Sequence, residues 1–334
     1  MSTSEVKFKI AAIQASPVFL DREATVEKAC KLIIEAGSQG ARLIVFPESF
    51  IPAYPDWVWA VPPGREKILN ELYADFLTNS VEVPSAVTEQ LARTVKKSEA
   101  YVVIGVTEKN IEASGASLYN TLLYFSPEGN LMGKHRKLVP TGGERLVWAQ
   151  GDGSTLGVYD TPLGKIGGLI CWENYMPLAR YTMYAWGTQI YIAPTWDRGE
   201  PWLSTLRHIA REGRVYVVGC SMVLRKEDIP ERFEYKQKFY SESREWINVG
   251  DSAIVNPDGE FIAGPVRNKE EILYAEVDPL MIGGPKWMLD VAGHYARPDV
   301  FELILHRGAH PMIKVVEEQA AGGKVTEGVK IEER

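Results

Sequence analysis

The segment Ile166-Gly-Gly-Leu-Ile-Cys-Trp-Glu-Asn174 places a cysteine, Cys171, at the end of a short apolar run. Two further segments have a similar form: Leu43-Ile-Val-Phe-Pro-Glu48 ends in a carboxylate, and Lys134-His-Arg-Lys-Leu-Val-Pro140 contains Lys137. Each of the three groups follows or adjoins a strand-like segment, although the basic run 134–137 by itself is typical of a solvated stretch of charge. We expect the thiol, the carboxylate and the ammonium group to converge at one edge of a sheet. The combination predicts covalent thiol chemistry on a C–N bond.

Strand-like and helix-like segments alternate along most of the chain. Apolar runs such as 101–107 and 215–220 indicate strands, and the amphipathic stretch 23–37 indicates a helix. The turn sequences Ser126-Pro-Glu-Gly-Asn130 and Asn256-Pro-Asp-Gly-Glu260 favour antiparallel neighbours within a mixed sheet. The alternation as a whole predicts an α/β fold.

The domain organisation follows from the absence of a Gly-rich or Ser-rich linker. We predict one domain over residues 1–300 and a C-terminal tail over residues 301–334. The tail is expected to contact another subunit first and then, in its polar last residues, to be disordered. The charged and aromatic stretch 224–246 is an excursion between strands, either a solvated loop or a subunit contact.

Composition excludes several classes of partner. The 334 residues can bury a substantial core, and the formal net charge of −7 argues against nucleic acid or an anionic membrane as the main partner. No run approaches the roughly 20 apolar residues that span a bilayer, and no signal peptide is evident, so we expect a cytoplasmic protein. Cys30, Cys171 and Cys220 form no Cys-x-x-Cys pair, which indicates neither a disulfide framework nor a thiolate metal site.

The three reactive groups suit one another chemically. A cysteine becomes a useful nucleophile when a base removes its proton, and no histidine directly flanks Cys171. Glu48 is the candidate base, because burial at the end of an apolar strand can raise the pKa of a carboxyl group into a useful range. A buried Lys137 would need a carboxylate, which Glu48 or Glu144 could supply, and it could stabilise charge on the substrate. The backbone N–H of Trp172 could complete an oxyanion site.

Taken together, these motifs resemble the nitrilase superfamily, and its nitrilase branch in particular. The resemblance extends from about residue 6 to residue 301. The matching segments supply the base, the lysine, the second active-site glutamate and the nucleophile, in that order: Phe46-Pro-Glu48, His135-Arg-Lys137-Leu, Pro140-Thr-Gly-Gly-Glu144-Arg and Cys171-Trp-Glu-Asn-Tyr-Met-Pro177.

The resemblance implies a four-layer α-β-β-α sandwich of two mixed sheets. It also implies homodimers that assemble into larger homo-oligomers or spirals, and a site that uses neither a metal nor an organic cofactor. The implied reaction is hydrolysis of an organic nitrile to the carboxylic acid and ammonia through thioimidate and thioester intermediates on Cys171, with some amide as a by-product.

Other activities fit the same Glu–Lys–Cys machinery. A cyanide dihydratase or hydratase would need only a tiny substrate, and an aliphatic amidase would reach the same thioester. A non-catalytic binding member of the superfamily is a remote alternative. The Trp172-Glu173 pair resembles nitrilases more than the amidase branches.

The substrate pocket is expected to be apolar and partly aromatic. Its candidate residues are those that lie near the motifs in the sequence, although core packing would explain any one ring as well: Tyr54, Trp148, Pro194 and Trp196. His135, beside Lys137, is a candidate to orient the lysine loop through a hydrogen bond.

Overall fold

The computed structural model of the protein describes residues 7–278, 280–311 and 313. The strands in these residues are β1 (Phe8–Gln14), β2 (Ala41–Val45), β3 (Val81–Glu82), β4 (Tyr101–Lys109), β5 (Leu118–Phe125), β6 (Leu131–Arg136), β7 (Val158–Tyr159), β8 (Ile166–Gly168), β9 (Ile190–Thr195), β10 (Tyr216–Ser221), β11 (Val223–Arg225), β12 (Trp246–Val255), β13 (Phe261–Arg267) and β14 (Glu271–Val277).

The α-helices in the same residues are α1 (Arg22–Ser38), α2 (Trp57–Ala60), α3 (Glu66–Asn79), α4 (Ala86–Ser98), α5 (Pro177–Ala185), α6 (Glu200–Gly213), α7 (Tyr235–Phe239) and α8 (Leu280–Gly283). Short 3₁₀ turns occupy Gly142–Leu146, Gly153–Thr155, Cys171–Tyr175 and Gly284–Trp287. Asp21 caps α1 by accepting a hydrogen bond from the backbone N–H of Ala24 at 2.9 Å.

Two mixed sheets form the centre of the molecule. The first has the strand order β14-β1-β2-β4-β5-β6 with β3 beside β4, and the second has the order β11-β12-β10-β9-β8-β7 with β13 beside β12. Strands β1, β2 and β4 are parallel, as are β8, β9 and β10. Both turn sequences connect antiparallel strands, β5 to β6 and β12 to β13, as predicted.

Alternate residues of the central strands face different layers of the structure. In β1, Ile10 and Ala12 enter the apolar layer between the two sheets, whereas Ala11 and Ile13 pack with the helices outside the first sheet. Helices α1 and α4 cover that sheet, and α5 and α6 cover the second. Each fully buried aliphatic side chain contributes roughly 1.5–3 kcal/mol, so all three apolar layers stabilise the arrangement. The four-layer α-β-β-α sandwich is confirmed.

The basic residues 134–136, directly before Lys137, lie in β6 and do not form a solvated stretch of charge. Lys134 and Arg136 point to one face of β6, where both contact Glu108 in β4. His135 points to the other face and is buried, as is Lys137 immediately after the strand. The strand is hard to recognise in the sequence because Lys134, His135 and Arg136 are three consecutive basic residues, without the apolar alternation that indicates a strand.

The excursion 224–246 is not a simple solvated loop. It contains the end of β11 and helix α7, and Ile229, Phe233 and Tyr235 are buried in the apolar cluster beside the first sheet. Tyr235 also contacts Trp57 edge-on, with ring centroids 6.4 Å apart. The excursion therefore belongs to the core packing of the domain, and a contact with another subunit stays a prediction.

The beginning of the tail follows the sandwich surface without regular secondary structure. Arg307 donates from Nη2 to the carbonyl oxygen of Leu156 at 3.2 Å, and its guanidinium lies 5.0 Å from the ring centroid of Trp186. The predicted disorder concerns residues 317–334, which lie outside the described residues. In the part of the chain that is described, the helices are too short or too polar to cross a membrane.

Candidate active site

Glu48 lies in the turn after β2, and its side chain is buried. Asn120 Nδ2 donates to its Oε2 at 2.7 Å, and the backbone N–H of Trp196 donates to its Oε1 at 2.5 Å. Gly105 in β4 makes room for the turn, because a Cβ there would lie 2.2 Å from the carbonyl oxygen of Pro47. These contacts hold the carboxylate in one orientation.

Lys137 is fixed at both its backbone and its side chain. Its N–H donates to the carbonyl of Asn120 and its carbonyl accepts from the N–H of Gly151, both at 2.8 Å. Its Nζ lies 2.7 Å from Oε2 of Glu144 and 3.4 Å from Oε2 of Glu48. The buried ammonium therefore has two carboxylate partners, as burial of a cation requires.

Glu144 is the buried residue of the 3₁₀ turn Gly142–Leu146. The backbone N–H of Thr141 donates to its Oε2 at 2.7 Å, and the Tyr54 hydroxyl donates to its Oε1 at 2.8 Å. Tyr54 in turn accepts a hydrogen bond from Nε1 of Trp59 at 2.9 Å. Tyr54, Thr141 and Lys137 thus supply three donors to the buried Glu144 carboxylate.

Cys171 follows β8 at a sharp bend, with φ at 51°, a conformation that residues with side chains rarely adopt. Asn174 holds the bend by donating from Nδ2 to the carbonyls of Leu169 at 3.0 Å and of Cys171 at 2.8 Å. The Thr195 hydroxyl donates to the Cys171 sulfur at 3.2 Å. The bend directs the thiol away from the strand and into the space between the sheets.

Burial and neighbouring charge set the protonation of the thiol and its base. Burial raises the pKa of Glu48, and Glu144 adds to this, while Lys137, Asn120 and Cys171 oppose it without cancelling it. Burial also raises the pKa of the Cys171 thiol well above its ordinary value. The resting thiol is therefore protonated, and a carboxyl group of raised pKa is the neighbouring acceptor for its proton.

Lys137 remains charged in this setting. Burial favours its neutral form, but Glu48, Cys171 and Glu144 together raise the pKa of the ammonium above its ordinary value. The site thus contains a fixed positive charge beside a thiol and two carboxylates, which can stabilise negative charge that develops on a bound substrate.

The four polar residues predicted from the sequence converge, but not at one edge of a single sheet. Glu48 follows β2, and Lys137 follows β6, both in the first sheet, whereas Cys171 follows β8 in the second. The site lies between the sheets at the end where these strands stop. Face-to-face packing, which strand patterns do not specify, brings the thiol to the other two groups.

The predicted aromatic residues form a group beside the carboxylates. The rings of Tyr54 and Trp196 stack with centroids 4.2 Å apart, and Trp148 meets Tyr54 edge-on at 5.6 Å. Pro194 is buried in β9. Trp148 and Trp196 are also members of the apolar core cluster, so packing is an observed role for both and contact with substrate stays a prediction.

Trp172 and His135 point away from the centre of the cluster. The indole of Trp172 is 49% exposed and donates from Nε1 to Asp197 at 2.8 Å. Its backbone N–H is among the first donors of the 3₁₀ turn, which have no acceptor within such a turn. His135 contacts Glu173 rather than Lys137, with 3.0 Å between Nε2 and Oε2.

Three residues of the site were not predicted from the sequence. Asn120 and Thr195 contact the base and the thiol directly, and Gly105 provides space for the turn that carries Glu48. Each lies on a strand far from its partner in the sequence. The Pro194-Thr195-Trp196 segment, already a pocket candidate, was the one signal that could have indicated Thr195.

The chain is similar to a family of known enzymes. A family profile described as carbon-nitrogen hydrolase matches residues 9–284. An aliphatic nitrilase of Sinorhizobium fredii is 45% identical over 306 residues, which cover 90% of this chain and 96% of that protein. A protein of Nicotiana tabacum named bifunctional nitrilase/nitrile hydratase NIT4B is 41% identical over 91% of this chain and 87% of its own length.

A solved structure supports the same fold. Saccharomyces cerevisiae Nit3, described as a member of branch 10 of the nitrilase superfamily, superposes with a TM-score of 0.67. It is 23% identical, and the match covers 88% of this chain and 99% of that one.

Proposed function

The chain belongs to the carbon-nitrogen hydrolase family, on its nitrilase branch, and we propose that it converts an organic nitrile into the carboxylic acid and ammonia through a covalent intermediate on Cys171. The observation that carries this mechanism is the buried group in which the Lys137 ammonium contacts both Glu48 and Glu144 beside the thiol. This group can remove a proton, stabilise an anion and activate water.

In the first step, Glu48 takes the proton of Cys171 as the sulfur attacks the nitrile carbon. One C–N π bond breaks, and the electron pair goes to nitrogen, which takes a proton to give a thioimidate. Lys137 stabilises the charge on that nitrogen from a position that the two carboxylates fix. The raised pKa of Glu48 suits a group that accepts and then returns a proton near neutral pH.

Water then attacks the thioimidate, with Glu48 or Glu144 as its base. The tetrahedral intermediate loses ammonia to give a thioester, and a second water releases the carboxylic acid and restores the thiol. The overall reaction consumes two waters for each nitrile. We propose the backbone N–H of Trp172 as a donor to the oxyanions of both tetrahedral intermediates.

Departure of sulfur instead of ammonia would release an amide. This branch requires only that the C–S bond breaks before the C–N bond in the same tetrahedral intermediate. The relative from Nicotiana tabacum is named for both nitrilase and nitrile hydratase activity. We therefore expect a small amide fraction from this chain as well.

Release of ammonia and acid from a panel of substrates tests the proposal. The panel pairs arylaliphatic nitriles and aliphatic dinitriles with their amides and with cyanide, and Cys171→Ala is the control. We expect acid from organic nitriles and none from the variant, together with a Cys171 acyl adduct in the mass spectrum of acid-quenched enzyme. Retained hydrolysis by Cys171→Ala would contradict the mechanism, and turnover confined to amides or cyanide would indicate a neighbouring activity.

We also propose that the chain forms a homodimer that assembles further. Large apolar side chains near its C-terminal end are exposed in the single chain, with Trp287 at 77%, Phe301 at 73% and Ile304 at 67%. We further propose that residues 1–300 form one domain and that the tail, residues 301–334, contacts another subunit. A cytoplasmic location is a separate proposal. Light scattering on the full-length and tail-truncated protein tests assembly, and an active monomer would contradict it.

A further inference from the structure

Glu173 is buried two residues after the nucleophile, and the proposed chemical steps do not use it. Its carboxylate accepts a hydrogen bond from the backbone N–H of Ile170 at 2.7 Å and another from the backbone N–H of Leu138 at 2.6 Å. His135 Nε2 lies 3.0 Å and 3.2 Å from its two oxygens. Because a carboxylate only accepts, the ring nitrogen that faces it is the donor.

The two backbone donors belong to the segments that carry the reacting groups. Ile170 directly precedes Cys171, and Leu138 directly follows Lys137. These segments come from different sheets, so Glu173 connects the two halves of the site through bonds to their backbones. The connection is made where each segment leaves its strand, just after β6 and just after β8.

Glu173 carries a negative charge in this position. Burial alone would raise the pKa of its carboxyl group, but His135 and the two backbone N–H groups outweigh burial and lower it. Hydrogen bonds to an ionised acceptor are roughly twice as strong as those between neutral groups. A glutamine would present an NH₂ group to one of these donors, so the charge and the acceptor geometry are both specific to glutamate.

We infer that Glu173 is a positioning residue, whose carboxylate sets the separation between the Cys171 thiol and the Lys137 ammonium. The backbone of Cys171, with φ at 51°, needs surrounding bonds to hold it, and Asn174 supplies those on the carbonyl side of the bend. Glu173 supplies the bond on the N–H side and ties it to the lysine segment. The inference rests on the proposed function, in which thiol and ammonium act on one carbon–nitrogen bond.

Glu108 provides a matched control. It is as buried as Glu173, and it accepts hydrogen bonds from Thr121, Lys134 and Arg136. Lys134 and Arg136 flank His135 on β6 but point to the opposite face. Glu108 therefore supports the same strand from its opposite face, through side chains, and its hydrogen bonds do not reach the backbone of Leu138 or Ile170.

The test compares Glu173→Gln with Glu108→Gln by three measurements. These are kcat and KM for a nitrile, the rate of Cys171 alkylation by iodoacetamide across pH, and the Tm. A misplacement of about 1 Å can cost on the order of 100-fold in rate, so Glu173→Gln should lose about that much kcat with little change in KM. Alkylation should slow in parallel, because the thiol no longer faces the ammonium. Glu108→Gln should lower the Tm but retain the wild-type kcat and alkylation rate.

A Glu173→Gln protein that keeps the wild-type kcat and alkylation rate per folded molecule would overturn the inference, as would an equal loss of kcat in Glu108→Gln. If Glu173→Gln does not fold, His135→Phe removes one donor and leaves both backbone bonds. A smaller loss of kcat at unchanged KM is then expected, and no loss would overturn the inference. If wild-type enzyme hydrolyses no nitrile, the proposed function fails, whereas the alkylation rates still test the positioning role.

Discussion

As the pH rises from about 4 to about 6, the free energy of unfolding of Asp56→Asn should increase relative to that of the wild type. Asp56 is buried two residues after Tyr54, and it accepts hydrogen bonds from the hydroxyls of Tyr235 at 2.8 Å and Tyr240 at 2.7 Å. Burial raises the pKa of this carboxyl group from 3.8 to about 6, against the opposing effect of the two hydroxyls and of Arg244. Its ionised form is therefore disfavoured in the folded state.

The direction of the change in stability with pH depends on which state of the protein binds the Asp56 proton more tightly. Between about pH 4 and pH 6 the folded protein keeps a proton that the unfolded chain has released, so this group makes stability fall as the pH rises. A difference of about 2 units between the folded and unfolded pKa values corresponds to a loss of about 3 kcal/mol in the free energy of unfolding, and the whole loss is present above about pH 6. Asn is neutral at every pH, and the tyrosine hydroxyls can rotate to accept from its NH₂ group. The Asp56→Asn variant should therefore not show this decrease in the free energy of unfolding with rising pH.

Urea unfolding of both proteins between pH 4 and pH 8, at one protein concentration, measures this difference. Subtracting the wild-type curve from that of Asp56→Asn removes the titrations that both share. The difference should rise by about 3 kcal/mol and then stay level. Asp75→Asn removes a carboxylate from an exposed ion pair with Arg232, and its effect should stay within about 1 kcal/mol. A flat or falling difference for Asp56→Asn would refute the electrostatic argument.

Two further substitutions test how the carboxylates are held. Tyr54→Phe removes the hydroxyl that orients the Glu144 carboxylate, so kcat should fall by on the order of tenfold as that carboxylate loses its position. An unchanged kcat would show that this donor is dispensable. Gly105→Ala places a Cβ against the Pro47 carbonyl and should displace Glu48. Both kcat for a nitrile and the rate of Cys171 alkylation by iodoacetamide should then fall. Normal alkylation by this variant would show that the turn can shift without loss.

The reactive groups were predictable because each follows a short local pattern. An apolar strand that ends in Phe-Pro-Glu or in Cys-Trp-Glu fixes both the burial of the polar residue and the place where it leaves the sheet. Local sequence also marks the starts of α5 and α6, because Pro177 and Pro201 lie in their first turns, where proline is favoured. In each case the structure depends on neighbours within a few positions in the sequence.

The remaining features depend on pairs that are distant in the sequence. Trp196 donates to Glu48 across 148 positions, and β14 pairs with β1 at the opposite end of the chain. Strand β6 was hidden because it has polar side chains on both faces, and these contact different partners, Glu108 and Glu173. Periodicity identifies a strand but not its partner, so the second half of each contact became visible only in three dimensions.

The charges of the buried cluster bear on how the reaction ends. Two carboxylates share a single ammonium there, so the cluster carries an excess of negative charge whenever both are ionised. A nitrile enters as a neutral molecule, but the acid leaves as an anion and would be a third carboxylate beside Lys137. Like charges repel strongly where water is excluded, so we expect the carboxylate product to bind weakly beside the two glutamates. Accumulated product should inhibit the enzyme only weakly.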